Sequence, residues 1–455
     1  MSDGRPNILW IFSDQHRGQA LGCAGDTNVR TPHLDRLAAD GVRFSNAYST
    51  TPICAPFRAS LYTGQRITTH GVNSLFVPLL PTHRVLPQEL RAAGYVTAHY
   101  GKWHLSGGDC PSHFVSPYFR PGWDDWLGWE NSNRPWATEY STGNLPTPIR
   151  CLDGYQTDAM VDLSIEWLGR RAGDTPWFHV LSIEPPHPPY TAPERNLARV
   201  RDRDIRLRPN VPPNAPNVDS RTDTLRTYYA QIENLDENVG RLLEALEETG
   251  QADDTIVCYF SDHGDFMGSH GRGDKTRPEL ESSLIPLIIR YPRRVPAGMN
   301  TDALICGLDI MPTTLGLAGV RVPDYVEGID MGPVARGEIA DLRDSVLLQY
   351  DRSFFGTPRP WETFRSYVTK RWMYSRFLVQ DQSHLYDLGS DPYQLNNLID
   401  DPRWSATVAE LDRLLNAELE RISDPVLRLD DWDVSPTPAH HREGTRTGVS
   451  AREDR

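Results

Sequence analysis

Ile8-Leu9-Trp10-Ile11-Phe12, followed at once by Ser13-Asp14-Gln15, is an apolar run of strand length that ends in groups able to ionise or bind. Three further runs repeat the pattern. Tyr95 to Tyr100 leads into Lys102 and His104, Trp177 to Ile183 into His187, and Thr255 to Phe260 into Asp262 and His263. Near-continuous apolar strands are covered on both faces, the habit of parallel sheets. In an open α/β sheet, ligands bind at the carboxyl ends of the strands. One Asp or His after a strand means little, because polar residues follow most strands. Four such ends would deliver their groups to one edge.

Helical patterns separate the runs. The first has Thr31 as N-cap, Pro32 at its first position and Gly41 beyond its end; a second runs to Gly94, and a third from about Thr224 to Gly250. The alternation predicts an α/β fold, a large mixed and mostly parallel sheet sandwiched by helices. After about Ala340 the pattern changes to short strands, Ser345 to Tyr350 and Arg371 to Val379, then a helix from about Ser405 to Ile422. This divides the chain into a catalytic domain over 1–340, a smaller C-terminal α+β domain over 341–436, and a polar tail over 437–455 expected to be disordered.

The 455 residues carry 61 Asp and Glu against 47 Lys and Arg, a formal charge of −14, which argues against nucleic acid or an anionic membrane as partner. An anionic substrate would need a local basic pocket. Met1 to Arg5 is polar and Ile8 to Phe12 is too short for a signal sequence or membrane span, so a cytoplasmic location is expected. The six cysteines are far apart with no CxxC pair, which indicates neither a zinc ribbon nor a disulfide framework.

Cys54-Ala55-Pro56-Phe57-Arg58-Ala59-Ser60-Leu61-Tyr62-Thr63-Gly64 reads as a helix that begins near Cys54, with Pro56 in its first turn and Gly64 at its end. Free amides and the positive dipole end favour a tetrahedral anion at such a start. Arg58 is one turn on, on the same face. The string resembles the sulfatase signature C-x-P-x-R followed four residues later by T-G, and matches it at every fixed position. The likeness extends from Pro6-Asn7-Ile8 to the segment Leu385 to Leu398. The resemblance implies the alkaline phosphatase superfamily, hydrolysis of a sulfate monoester, and oxidation of Cys54 to formylglycine by a formylglycine-generating enzyme.

The other motifs carry over one at a time. Ser13-Asp14-Gln15 and Ser261-Asp262-His263-Gly264-Asp265 resemble the two metal segments, so the implied metal set is Asp14, Gln15, Cys54, Asp262 and His263. Gln15 stands where many members have a second Asp. The ion is expected to be Ca²⁺, with Mn²⁺ as the alternative. Gly101-Lys102-Trp103-His104 resembles the element that holds the nucleophile and oxyanion, and Pro186-His187-Pro188-Pro189 the one whose histidine meets the leaving oxygen. Lys275 sits where the family places a sulfate-binding lysine. The catalytic set implied is Cys54, Arg58, Lys102, His104, His187 and Lys275.

His16 and His270 are near enough in sequence to reach the pocket; the remaining histidines read as surface or packing residues. Trp123, Trp126, Trp129 and Trp136 read as packing before sugar stacking. Two other functions stay open: a phosphonate or phosphate ester hydrolase of the same superfamily, and a noncatalytic binding protein that keeps the fold. The substrate is expected to be a small-molecule or saccharide sulfate ester. The alcohol, sugar or aryl part of that substrate and the oligomeric state are not legible.

Overall fold

The four predicted runs lie side by side. In the computed structural model, residues 4–429 and 432 are described, apart from 109–111, 172, 174, 214–217, 352, 355–356, 359–361 and 380–381. The expected tail, 437–455, lies outside them. Among the described residues, ten strands form one sheet: β1 (Asn7–Asp14), β2 (Val42–Tyr48), β3 (Val96–Lys102), β4 (Asp125–Trp129), β5 (Glu139–Thr142), β6 (Arg150–Cys151), β7 (Trp177–Pro186), β8 (Thr255–Ser261), β9 (Leu287–Arg290) and β10 (Met299–Cys306). Their order is β10-β2-β9-β8-β1-β7-β3-β4-β5-β6. The block β8-β1-β7-β3-β4 is parallel throughout, and β9 enters antiparallel between β8 and β2.

Alternation along β1 explains the two cores. Ile8, Trp10 and Phe12 face one layer with Phe57, Leu61, Met311 and Leu315, whereas Leu9 and Ile11 face the other with Met160, Trp167, Leu235 and Val239. Side chains on both faces are therefore removed from water, each contributing about 1.5–3 kcal/mol. Truncating Phe12, stacked on Phe260 at 4.9 Å, would cost about 3–5 kcal/mol.

Register aligns the carboxyl ends. Ser13 pairs with Ser261 on one side and Ile183 on the other, and Gly101 pairs with Ser182. A register shift between Ser13 and Asp14 sets Asp14 opposite Pro186, at the end of β7. Gly101 has φ 114°, and a Cβ there would lie 2.0 Å from the Ser182 carbonyl oxygen, so only glycine lets β3 approach β7 and carry Lys102 to the edge.

Helix α1 (Pro32–Ala39) and helix α2 (Cys54–Thr63) follow the capping signals, and Gly64 closes α2 at φ 65° with its amide on the Ser60 carbonyl. The helix read from Thr224 begins earlier, spanning Val218–Glu248. Strands Val346–Tyr350, Phe364–Val368, Trp372–Phe377 and His384–Asp387 form a separate antiparallel sheet in that order. One face packs on Leu304, Cys306 and Leu308 of the large sheet and its connection, the other on Leu411, Leu415 and Leu419 of the helix Ser405–Arg421. No helix among the described residues is long and apolar enough to cross a membrane.

Candidate active site

Cys54 is the first residue of α2, and the whole helix is buried. Its Sγ lies 3.3 Å from His263 Nε2, 3.6 Å from Asp14 Oδ1 and 3.7 Å from Lys275 Nζ. One ligand atom each from Asp14, Cys54, Asp262 and His263 falls within 4.8 Å of the others. Strand ends β1 and β8 and the start of α2 therefore meet at one point, as the runs predicted.

Arg58 braces this cluster. Its Nη2 donates to Asp14 Oδ2 at 3.1 Å and Asp262 Oδ2 at 3.4 Å, while Nη1 donates to the Lys102 carbonyl and to Ser182 Oγ. It thus reaches the carboxylates around Cys54 and lies 4.4 Å over the Phe12 ring. Lys102 Nζ donates to Asp14 Oδ2 at 2.8 Å. Burial would raise the Asp14 carboxyl, but Lys102, then His187, Arg58 and His263 outweigh it and hold Asp14 well below the carboxylate range. Asp262 goes the other way: burial, then the Asp14 charge, push it up against His263 and Arg58. Two buried carboxylates that oppose each other's ionisation call for further positive charge between them.

The donor set fits a divalent ion. His263 Nδ1 donates to the Gly264 carbonyl, which fixes the tautomer and leaves Nε2 toward the cluster. Burial disfavours its charged form, but Asp262 outweighs this and raises it. Gln15 is arranged differently. With φ 69°, it gives its backbone N–H to Asp262 Oδ1 and its carboxamide nitrogen to Asp265 Oδ2 at 2.5 Å, while its Oε1 accepts from Lys275 Nζ at 2.6 Å. Its amide oxygen is thus engaged by Lys275.

His104, at φ 60°, is buried, and its Nδ1 has no hydrogen-bond partner among the described residues. His187 follows β7 and donates Nδ1 to the Pro188 carbonyl at 2.7 Å, which leaves Nε2 free of that bond. Burial, then Lys275, hold its imidazole well below the ordinary value despite Asp14. All the catalytic and metal positions named from the sequence gather at this edge.

The competing histidines separate. His16 is locked between Tyr259 Oη and the Ala20 carbonyl, and burial lowers it to about 4. His270 meets Asn210 and Glu281 instead of Cys54. His70, His99 and His179 are buried packing groups. Trp123, Trp126 and Trp129 are buried too, whereas Trp136 is 48% exposed, its Nε1 bound to Thr191 Oγ1. Sequence reasoning missed Ser182, Asp265 and Glu184. Ser182 ties Arg58 to the Lys102 carbonyl, Asp265 joins Gln15 to Tyr190 Oη, and Glu184 receives Ser132 N and Gln156 Nε2 beneath His187. The only advance signal was the second Asp of Asp262-His263-Gly264-Asp265.

The sulfatase family profile matches residues 6–320, and the profile for N-sulphoglucosamine sulphohydrolase, C-terminal, matches residues 268–421. The chain is similar to an ulvan-active sulfatase of Formosa agariphila, 35% identical over 92% of this chain and 82% of that one. It is similar in structure to a protein solved with its substrate D-glucosamine-2-N,6-O-disulfate, with TM-score 0.82 and 25% identity over 92% of this chain and 99% of the other. The phosphonate monoester hydrolase of Agrobacterium radiobacter gives a TM-score of 0.74 at 26% identity, over 91% of this chain and 96% of that one. Profile, relatives and the cluster around Cys54 agree, and the chain belongs to the sulfatase family, hydrolases of sulfate esters.

Proposed function

We propose that this enzyme hydrolyses the sulfate ester of a saccharide through a formylglycine made from Cys54, with one divalent metal ion held by Asp14, Asp262 and His263. The observation that carries the reading is the meeting of Cys54, Asp14, Asp262 and His263 within 4.8 Å, with Lys102, Arg58 and Lys275 bonded into the same network. The oxygen-rich set suits Ca²⁺ first and Mn²⁺ second, and Gln15 would join it by turning its amide oxygen from Lys275. When bound, the ion supplies positive charge beside the nucleophile and the sulfate oxygens. The maturation partner is a formylglycine-generating enzyme.

The protein's own groups divide the rest. The start of α2 offers free amides and a positive dipole end to the sulfate. Arg58 and Lys102 fix Asp14 and Asp262. Lys275, beside Cys54 and already donating to Gln15, turns to the non-bridging oxygens. The unpartnered His104 nitrogen has a hydrogen bond to give or accept at the nucleophile. His187 is neutral in the free protein because of burial and Lys275. The negative charge of a bound ester favours uptake of a proton from water onto the free His187 nitrogen, and His187 donates that proton to the leaving oxygen as the S–O bond breaks.

The saccharide assignment follows from the similar protein solved with D-glucosamine-2-N,6-O-disulfate. The test is a panel of sulfated sugars, aryl sulfates, choline sulfate and a phosphonate monoester, assayed with Ca²⁺ or Mn²⁺ and after chelation. A sugar sulfate should give the highest kcat/KM. A phosphonate ester ahead of every sulfate would move the enzyme to the phosphonate hydrolases, with one of which it shares its fold.

A further inference from the structure

Lys275, whose Nζ lies 3.7 Å from Cys54 Sγ, also lines a further cavity. That cavity, about 620 Å³, is bounded by Arg272, Asp274, Lys275, Arg277, Glu362 and Gln382, a volume within the range of small-ligand sites. Its basic wall is a firmly anchored loop. Gly268 N donates to the Arg272 carbonyl at 2.8 Å, Phe266 N to the Asp274 carbonyl at 2.9 Å, and Thr276 N to the Pro52 carbonyl at 3.1 Å, two residues before Cys54. The loop is therefore wired to the nucleophile's own turn.

The cations of this wall are not equally matched. Arg277 donates to both Glu279 oxygens at 3.2 and 3.3 Å and to Gln382 Oε1 at 3.0 Å, and lies 4.5 Å over the Phe377 ring. Lys275 is 3.6 Å from Asp274, whose side chain is 70% exposed. Glu362 has a partner of its own. Among the described residues, the Arg272 guanidinium has neither a hydrogen bond nor an ion pair. Partial burial and then repulsion from Arg277 hold it below its ordinary value. A planar fork of donors beside a second arginine, on the wall of a cavity that Lys275 also lines, is matched by a carboxylate or sulfate.

We propose that this cavity is a second anion subsite, in which Arg272 receives a further carboxylate or sulfate of the saccharide whose sulfate ester lies at Cys54. The inference rests on the saccharide reading above and narrows it: the preferred substrate carries at least two negative groups. Arg272 acts here as a specificity residue and takes no part in bond cleavage.

The test separates binding from turnover. Calorimetric titration of the Cys54→Ser protein with D-glucosamine-6-O-sulfate and with D-glucosamine-2-N,6-O-disulfate should show a preference for the disulfate of about ten-fold or more. A 6-sulfated glucosamine joined to glucuronate shows whether a carboxylate serves in place of the second sulfate; preference for either doubly charged ligand supports the subsite. Arg272→Ala should abolish the preference without weakening the monosulfate more than about two-fold, and Arg272→Lys should keep part of it. Equal binding of mono- and dianionic ligands, no binding of any, or a preference that survives Arg272→Ala would overturn the proposal. If the Cys54 protein hydrolysed no sulfate ester while the preference persisted, the hydrolytic reading would fail and the anion subsite would stand.

Discussion

Arg365 and Arg58 are both buried and both meet carboxylates, and their surroundings differ in one respect. Arg365, in the small antiparallel sheet, gives Nε and Nη2 to Asp424 at 2.7 and 2.9 Å, gives Nη1 to Asp351 at 2.7 Å, and also meets the Tyr350 and Phe364 carbonyls. Asp424 further receives Gln349 Nε2 and Val426 N. Burial opposes its charge, but Arg365 and these donors outweigh that and lower it. Arg58, at the edge of the large sheet, serves Asp14 and Asp262 but leaves Nε unpartnered, as His104 leaves Nδ1, while Asp262 is pushed up by burial and Asp14. A closed cluster of matched groups holds a fold together; an open one keeps charge and hydrogen-bonding capacity for a ligand, and is costly without it. Stability and activity should therefore respond oppositely at the two sites.

The sharpest break would come from replacing each arginine by methionine. Arg58→Met should lower kcat/KM by about 10³ or more, because the carboxylates and the sulfate pocket lose their brace. Arg365→Met should leave turnover per folded molecule intact and cost about 3–5 kcal/mol of stability, since Asp424 would stay buried without its partner. Denaturant melts with parallel kinetics decide. Arg365→Met crippling kcat in a stable protein would end the comparison. Within the open cluster, His187→Ala should slow esters of poorly acidic alcohols by about 10²–10⁴ and activated aryl sulfates far less, whereas Lys275→Ala should slow both classes by one common factor. A common factor for both variants would remove the acid role of His187.

The next effect is in stability. In chelator, Asp262→Asn should stabilise the protein by about 1 kcal/mol, because a neutral amide replaces a carboxylate that burial and Asp14 disfavour. Added Ca²⁺ at a hundred-fold excess over its Kd should stabilise the unsubstituted protein by about 2.7 kcal/mol and the variant far less. The smallest effect is the pH dependence of that gain. Asp262 titrates higher in the fold than its ordinary 3.8, so the folded state binds its proton more tightly and stability is lost as pH rises from about 4 through the raised value. The advantage of Asp262→Asn in chelator should therefore grow over that interval and then level off. A flat difference across thermal melts from pH 4 to 8 would show Asp262 to be already matched.

What was legible follows the same division. The strands β1, β3, β7 and β8 were readable because burial on both faces leaves an unbroken apolar run, and α2 because Pro56 and Gly64 mark its ends. Less was visible at β2, where partly exposed Arg43, Ser45 and Asn46 interrupt the pattern. In the small sheet, Phe364–Val368 and His384–Asp387 carry Arg365, Ser366, His384 and Asp387 on a buried surface, so buried polar groups hid them. At the site, ligand types were legible from residues that follow strands, but partners were not. That Arg58 would reach Asp14 and Asp262, or that Asp265 and Lys275 would divide the two ends of the Gln15 amide, depends on contacts across more than forty residues.

Oxidation of the buried Cys54 at the start of α2 into the nucleophile is checked by the mass of the Cys54 peptide in enzyme of known specific activity. After co-expression with a formylglycine-generating enzyme, the peptide should carry an aldehyde or its hydrate in place of the thiol, and sulfatase activity should rise in proportion to the converted fraction. Full activity in protein whose residue 54 is entirely unmodified cysteine would rule out formylglycine as the nucleophile.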